Sequence, residues 1–161
     1  MKTGFFALIL LSLAGCVVYI PPPADVTPVQ ATRALEMPTT DFGKAFNAFR
    51  ASQGLGPLQE NAILTRAAQA HAQDMENRGY FSHSSAGGPN GRNLKARATA
   101  AGCNLRAGAE NIAQGQRSEQ EVFVAWRESP GHRANLLGAR YTDYGLGRVG
   151  NTWEMKLSSG C

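Results

Sequence analysis

Past residue 40 the apolar positions repeat with a helical period, which changes only near the end of the chain. Phe42, Phe46 and Phe49 fall at i, i+4 and i+7 on one helix face, capped by Asp41 and ended by Gly54 and Gly56-Pro57. A second helix is predicted over 61–78, with Gly79 as its stop. Leu64, Ala68, His71 and Met75 share one of its faces, with Ala67 and Ala72 beside them. The alanines predict close packing on another layer, and His71 on that stripe reads as a hydrogen-bonded core residue. Residues 84–91 are a loop by composition, and a third helix is predicted over 92–101, closed by Gly102. A strand-like segment begins at Cys103 and runs through Glu110-Asn111-Ile112-Ala113. Ser118-Glu119-Gln120-Glu121 is a capping-box pattern that opens a fourth helix, with Val122, Ala125 and Trp126 facing inward. That helix is predicted to end near Ser129, which caps a further short helix with Pro130 at its first position and His132 on its first turn. Gly138 is expected to close it in the left-handed conformation.

The period then becomes two. Tyr144, Leu146 and Arg148 alternate with Gly145, Gly147 and Val149, and Gly150-Asn151 is a two-residue hairpin turn. Trp153, Met155 and Leu157 alternate with Glu154 and Lys156, the pattern of a strand with its apolar face inward and its charged face outward. Helices first, a strand before the fourth helix and a hairpin last predict an α+β layered domain over 41–161.

Upstream the pattern is different. Lys2 followed by the apolar run 5–13 reads as an export signal, too short to span a bilayer. Leu13-Ala14-Gly15-Cys16 is similar to a bacterial lipobox, so 1–15 is expected to be cut away and Cys16 to carry the lipid that holds the protein on a membrane. Val17 stands where an aspartate would retain a lipoprotein at the inner membrane, so the outer membrane of the cell envelope is expected. Residues 16–40 hold five of the eight prolines, show no period, and read as a tether.

Composition narrows the function classes. The chain is 43% hydrophobic and 17% charged, with a formal net charge of +4 and no run of Lys or Arg. It reads as globular, and nucleic acid is not an expected partner. With Cys16 lipidated in an oxidising compartment, Cys103 and Cys161 are left to pair with each other. There is no His-Glu-x-x-His helix, no Gly-x-Ser-x-Gly elbow and no phosphate loop. His83, in a Gly/Ser loop, Glu110 and His132 are the candidate chemistry. Two imidazoles and a carboxylate can hold zinc or another divalent cation, with His83 and His132 as ligands. The alternative is a polar cluster that pins helices to a strand.

The order of these pieces resembles the CAP superfamily, which gathers cysteine-rich secretory proteins, antigen 5 and plant pathogenesis-related proteins and is also called the SCP-like domain. The resemblance spans 42–158 and rests on Asn47-Ala48-Phe49-Arg50, the 67–75 segment with His71-Ala72-Gln73-Asp74, and Phe81-Ser82-His83. It continues through Glu110-Asn111-Ile112-Ala113, Trp126, the Ser129-Pro130-Gly131-His132-Arg133-Ala134-Asn135-Leu136-Leu137 block and Tyr144-Gly145-Leu146-Gly147. It implies a three-layer α-β-α sandwich and a cleft with two histidines and two acidic residues. His83, His132 and Glu110 match three of those positions. At the fourth, three residues after the tryptophan, this chain has Ser129; Glu128 is one residue earlier, turned about 100° away on a helix. The family has been linked to sterol and lipid binding, to protein signalling and to proteolysis. Three readings stay open: a non-enzymatic module binding a small apolar ligand, a wall fragment or a protein; a divalent-metal hydrolase using His83, His132 and Glu110; and a scaffold whose polar cluster is structural.

Overall fold

Asp41 opens the first element that the computed structural model describes; the described residues are 41–161. The leader, Cys16 and the tether lie outside them. Helix α1 (Asp41–Ser52) buries Phe42 and Phe46, and its first turn is held by Glu119, whose Oε2 accepts from Phe42 N at 2.8 Å. After the short strand β1 (Gln59–Glu60) comes α2 (Ala62–Arg78). Asn61 caps α2 by accepting from the amides of Ile63 and Leu64, and Gly79 ends it at φ 64°, a conformation that glycine adopts without a Cβ clash. Helix α3 (Leu94–Ala100) is shorter than the predicted 92–101, because Asn93 caps it and accepts from Ala96 N.

Strand β2 (Ala107–Gln114) follows, then α4 (Glu119–Glu128) and α5 (Pro130–Leu136). Ser118 Oγ accepts from Glu121 N at 3.1 Å, half of the expected capping box; Glu121 turns its carboxylate to Arg117 N instead. Gly138 does not take the left-handed conformation predicted for it; Leu137 caps α5 with φ −95°. Its lack of a side chain serves packing, since a Cβ there would lie 2.3 Å from the Tyr141 ring. Strands β3 (Asp143–Val149) and β4 (Thr152–Ser159) form the hairpin around Gly150-Asn151.

The sheet order is β1-β3-β4-β2, with β1 parallel to β3 and the other pairs antiparallel. One face carries Tyr144, Trp153, Met155 and Leu157 against Phe42 and Phe46 of α1, Trp126 of α4 and Leu136 of α5. Phe42 meets the Phe123 and Trp126 rings edge-on at 5.8 and 6.0 Å. The other face is covered by α2, and there the backbones touch. A Cβ on Gly145 would lie 2.2 Å from Thr65 N, and one on Gly147 2.3 Å from Gln69 N. Ala67, Ala68 and Ala72 are buried in the same helix. The fold is therefore a three-layer α-β-α sandwich. Cys103 and Cys161 are joined in a disulfide that fixes the chain's last residue to the loop before β2.

One sequence expectation is overturned here. Glu154 and Lys156 do not face solvent; both are 0% exposed, sealed between the sheet and α2. Alternation along β4 separates two faces, but helices cover both of them.

Candidate functional site

The register places Glu110 of β2 opposite Lys156 of β4, on the face beneath α2. Lys156 Nζ donates to Glu110 Oε2 at 2.8 Å and also to Glu154 Oε1. From α3, Arg97 Nη2 donates to both Glu110 oxygens, at 3.0 and 2.8 Å. From the loop after α2, His83 Nδ1 donates to Glu110 Oε1 at 2.9 Å. One carboxylate thus ties two strands, a helix and a loop. Burial alone would raise its pKa. The hydrogen bond from His83, the neighbouring Glu154 carboxyl group and the charges of Lys156 and Arg97 outweigh that and hold it well below the ordinary carboxylate range.

Glu154 goes the other way: complete burial, first of all, pushes its pKa well above the ordinary value despite Lys156. His71 Nδ1 lies 3.0 Å from Glu154 Oε2, out of line for a hydrogen bond, and both His71 nitrogens lack a hydrogen-bond partner among the described residues. His71 is 0% exposed, and its pKa is lowered to about 4 by burial and by the charge of Arg97. It is a core histidine, as its place on the apolar stripe suggests, but beside a buried carboxyl group rather than in a hydrogen bond.

The loop that carries His83 is itself pinned. Asp74 of α2, buried, accepts from Tyr80 Oη at 2.6 Å and Ser85 Oγ at 2.7 Å, and Arg78 joins Asp74, Ser85 and the Ala86 carbonyl. Arg97 Nη2 donates to the His83 carbonyl at 2.9 Å. The His83 side chain is 55% exposed all the same, so its ring opens onto solvent from a fixed stem. With Nδ1 given to Glu110, Nε2 has no hydrogen-bond partner among the described residues.

His132 comes from the opposite layer. Its carbonyl accepts from Asn111 Nδ2, whose Oδ1 accepts from Asn135 Nδ2 at 2.8 Å, so the buried Asn111 fastens α5 to β2 one residue from Glu110. The His132 pKa is lowered by burial first and by the charge of His83 second. Ser129 joins α4 to α5, half-buried, without a side-chain capping bond. Glu128 is an exposed surface acid, 3.5 Å from Arg127.

Among the described residues, one trio of metal-type ligands converges, and it is not the trio that the motifs single out. His71, Glu110 and Glu154 bring ligand atoms within 4.8 Å of one another. Lys156 Nζ already bridges the two carboxyl groups there and Arg97 holds Glu110, so a dication would have to displace a lysine. Of the three motif residues only the two imidazoles keep a nitrogen to offer, since Glu110 already accepts from His83, Arg97 and Lys156. That falls short of the three protein ligands of a catalytic zinc.

Comparison with known proteins agrees with this architecture. Residues 44–155 match the model of CAP, the cysteine-rich secretory protein family. YkwD of Bacillus subtilis is 39% identical over 113 residues, covering 69% of this chain and 43% of that protein. The membrane protein YlbC of the same organism is 32% identical over 101 residues, covering 63% of this chain and 28% of YlbC. The chain thus spans less than half the length of either relative. Among solved structures, an extracellular SCP-domain protein of Bacillus anthracis superposes with a TM-score of 0.69 at 24% identity, covering 82% of this chain and 43% of that one. An outer surface protein of Borrelia burgdorferi superposes with a TM-score of 0.66 at 16% identity, over 78% of this chain and 97% of that one.

Proposed function

The chain belongs to the CAP family, the cysteine-rich secretory proteins, and for this member we propose a non-enzymatic binding domain. It is held at the bacterial cell envelope by a lipid on Cys16, and the cleft between His83 and His132 receives a small apolar ligand, an envelope component or a protein. The observation that carries this reading is the state of Glu110. Both of its oxygens accept hydrogen bonds from cationic groups, and its pKa is depressed. A general base needs a free lone pair and a pKa near the working pH, and Glu110 has neither. What the two motif histidines offer is a pair of imidazoles on fixed stems, which suits recognition. For location, the lipobox supports the envelope, and the two structural relatives are an extracellular and an outer surface protein.

Two measurements test this. Zinc analysis of the lipid-free chain after dialysis against the ion, paired with hydrolysis assays, should give substoichiometric metal and no turnover, while His132→Ala should weaken binding to envelope fragments. One zinc per chain, with a hydrolytic rate lost in His83→Ala, would overturn the binding reading. Cys16→Ala should release the protein from membranes; a wild-type chain that keeps its leader and stays in the aqueous phase would overturn the anchor.

A further inference from the structure

A second charged pocket lies at the other end of α5 from His132. Arg50, on the last turn of α1, is only 2% exposed. Its Nε donates to the Gly56 carbonyl at 2.9 Å, and its Nη1 donates to the carbonyls of Leu136 and Gly138 at 2.7 and 3.2 Å. Nη2 has no partner among the described residues, and no described carboxylate pairs with Arg50. Arg97 is equally buried and shows what this chain does elsewhere: its guanidinium meets Glu110 at 2.8 Å. Buried charge is costly unless paired. Burial accordingly draws the Arg50 pKa below its ordinary value. The three carbonyls, two of them at the C-terminal end of a helix, offset part of the cost.

Arg50 also lines a cavity of about 420 Å³, together with Leu55, Pro57, Gln59, Tyr141 and Asp143. That volume lies within the range of small-molecule sites. Asp143, which lines the same cavity, is half-buried; its Oδ2 accepts from Thr142 Oγ1 at 2.6 Å, and no described cation pairs with it. One pocket therefore holds a guanidinium and a carboxylate, neither paired with an opposite charge among the described residues.

We propose that this pocket is a binding site for a small zwitterion, an amino acid or a short peptide with free ends, its carboxylate on Arg50 Nη2 and its ammonium on Asp143. A simple anion lacks the second contact and is repelled by Asp143; a simple cation meets Arg50. The site stands apart from the histidine cleft and does not depend on that reading.

The probes are alanine, β-alanine, 4-aminobutyrate and dialanine, which grade the separation of the two charges, with acetate and ethylammonium as single-charge controls. Binding to the full chain, carrying Cys16→Ser to keep it lipid-free, is followed by calorimetry and by the Arg50 Nε–H resonance. At least one zwitterion should bind and shift that resonance, and acetate should bind more weakly. Asp143→Asn should weaken the zwitterion by about tenfold, the loss of one charge contact, and leave acetate no weaker. Ala139→Trp, at the exposed pocket rim, should block binding while the chain stays folded. A preference for dialanine assigns a peptide end, and one for alanine a free amino acid. If no zwitterion moves the resonance at tens of millimolar, or if Asp143→Asn and Ala139→Trp both bind like the wild type, the proposal is overturned and Arg50 is a brace only.

Discussion

Replacing Glu110 and Glu154, one at a time, by glutamine should have opposite consequences, although the two side chains share Lys156. Glu110 is ionised and accepts from Arg97, Lys156 and His83 at 2.8–2.9 Å. Glu110→Gln keeps the shape and removes the charge, leaving two buried cations without their partner. Breaking a buried pair in this way costs about 3–5 kcal/mol, a large part of the roughly 5–15 kcal/mol that holds a domain together. Glu154 is held protonated by burial, so glutamine is its neutral isostere, and at about pH 4.3 or below, where the unfolded group is largely protonated too, the change should stay within about 1 kcal/mol. The pH dependence separates them further. The Glu110 pKa is depressed in the folded state, so its contribution is present above the unfolded value of about 4.3 and lost as pH falls toward the folded one. The gap between wild type and Glu110→Gln should therefore close below about pH 4.3. The Glu154 pKa is raised, so the wild type bears a growing cost above that pH, and Glu154→Gln should gain on it as pH rises. Urea unfolding followed by the fluorescence of the buried Trp126 and Trp153 measures both. A loss in Glu154→Gln equal to that in Glu110→Gln, or a loss under about 1 kcal/mol in Glu110→Gln, would refute the charge assignment.

Three further outcomes are expected. His71 is buried neutral with a pKa of about 4; as pH falls from about 6.5 to 4 the unfolded chain takes up a proton that the folded one refuses, costing about 3 kcal/mol that His71→Leu should abolish in urea titrations. Removing the Cys103–Cys161 disulfide by double alanine substitution should cost about 4 kcal/mol in the chain-entropy model, read as a lower urea midpoint than that of the unreduced wild type. Gly147→Ala would put a Cβ 2.3 Å from Gln69 N, a backbone atom that cannot swing aside, and should cost about 3 kcal/mol or more. Gly56→Ala meets nothing within 4 Å and should leave Tm unchanged, which makes it the control.

How much of this was legible in the sequence depended on whether the signal was local. Helix α2 was legible to within a residue, because its start and stop are set by Asn61 and Gly79, side-chain and backbone chemistry that acts within one turn. The hairpin was legible for the same reason. Strand β1 was not: two residues carry no period, and they form a strand only because β3 lies alongside. Gly138 misled because a glycine can serve a turn or a close contact, and only the Tyr141 ring packed against it decides which.

The site divides along the same line. His83, Glu110 and His132 stood out by motif, and the structure joins the first two directly and fastens the element of the third beside them through Asn111. Arg97, Glu154 and Lys156 were missed, although they determine what Glu110 can do. Alternation in β4 shows that the two sides of the strand differ in chemistry, but not which side meets water. A hint was present in the partners. Gly145 and Gly147 stand opposite Lys156 and Glu154, and the small residues Ala67, Ala68 and Ala72 recur along α2. Small residues on both partners let a helix backbone lie directly on a sheet, and a helix that close leaves no path to solvent for a lysine beside it. Such a lysine must find its counter-charge inside the protein, and the acids within reach along the register are Glu110 and Glu154. The burial of Lys156, and through it the engagement of Glu110, follows from the glycines of β3 as much as from any residue the motifs mark.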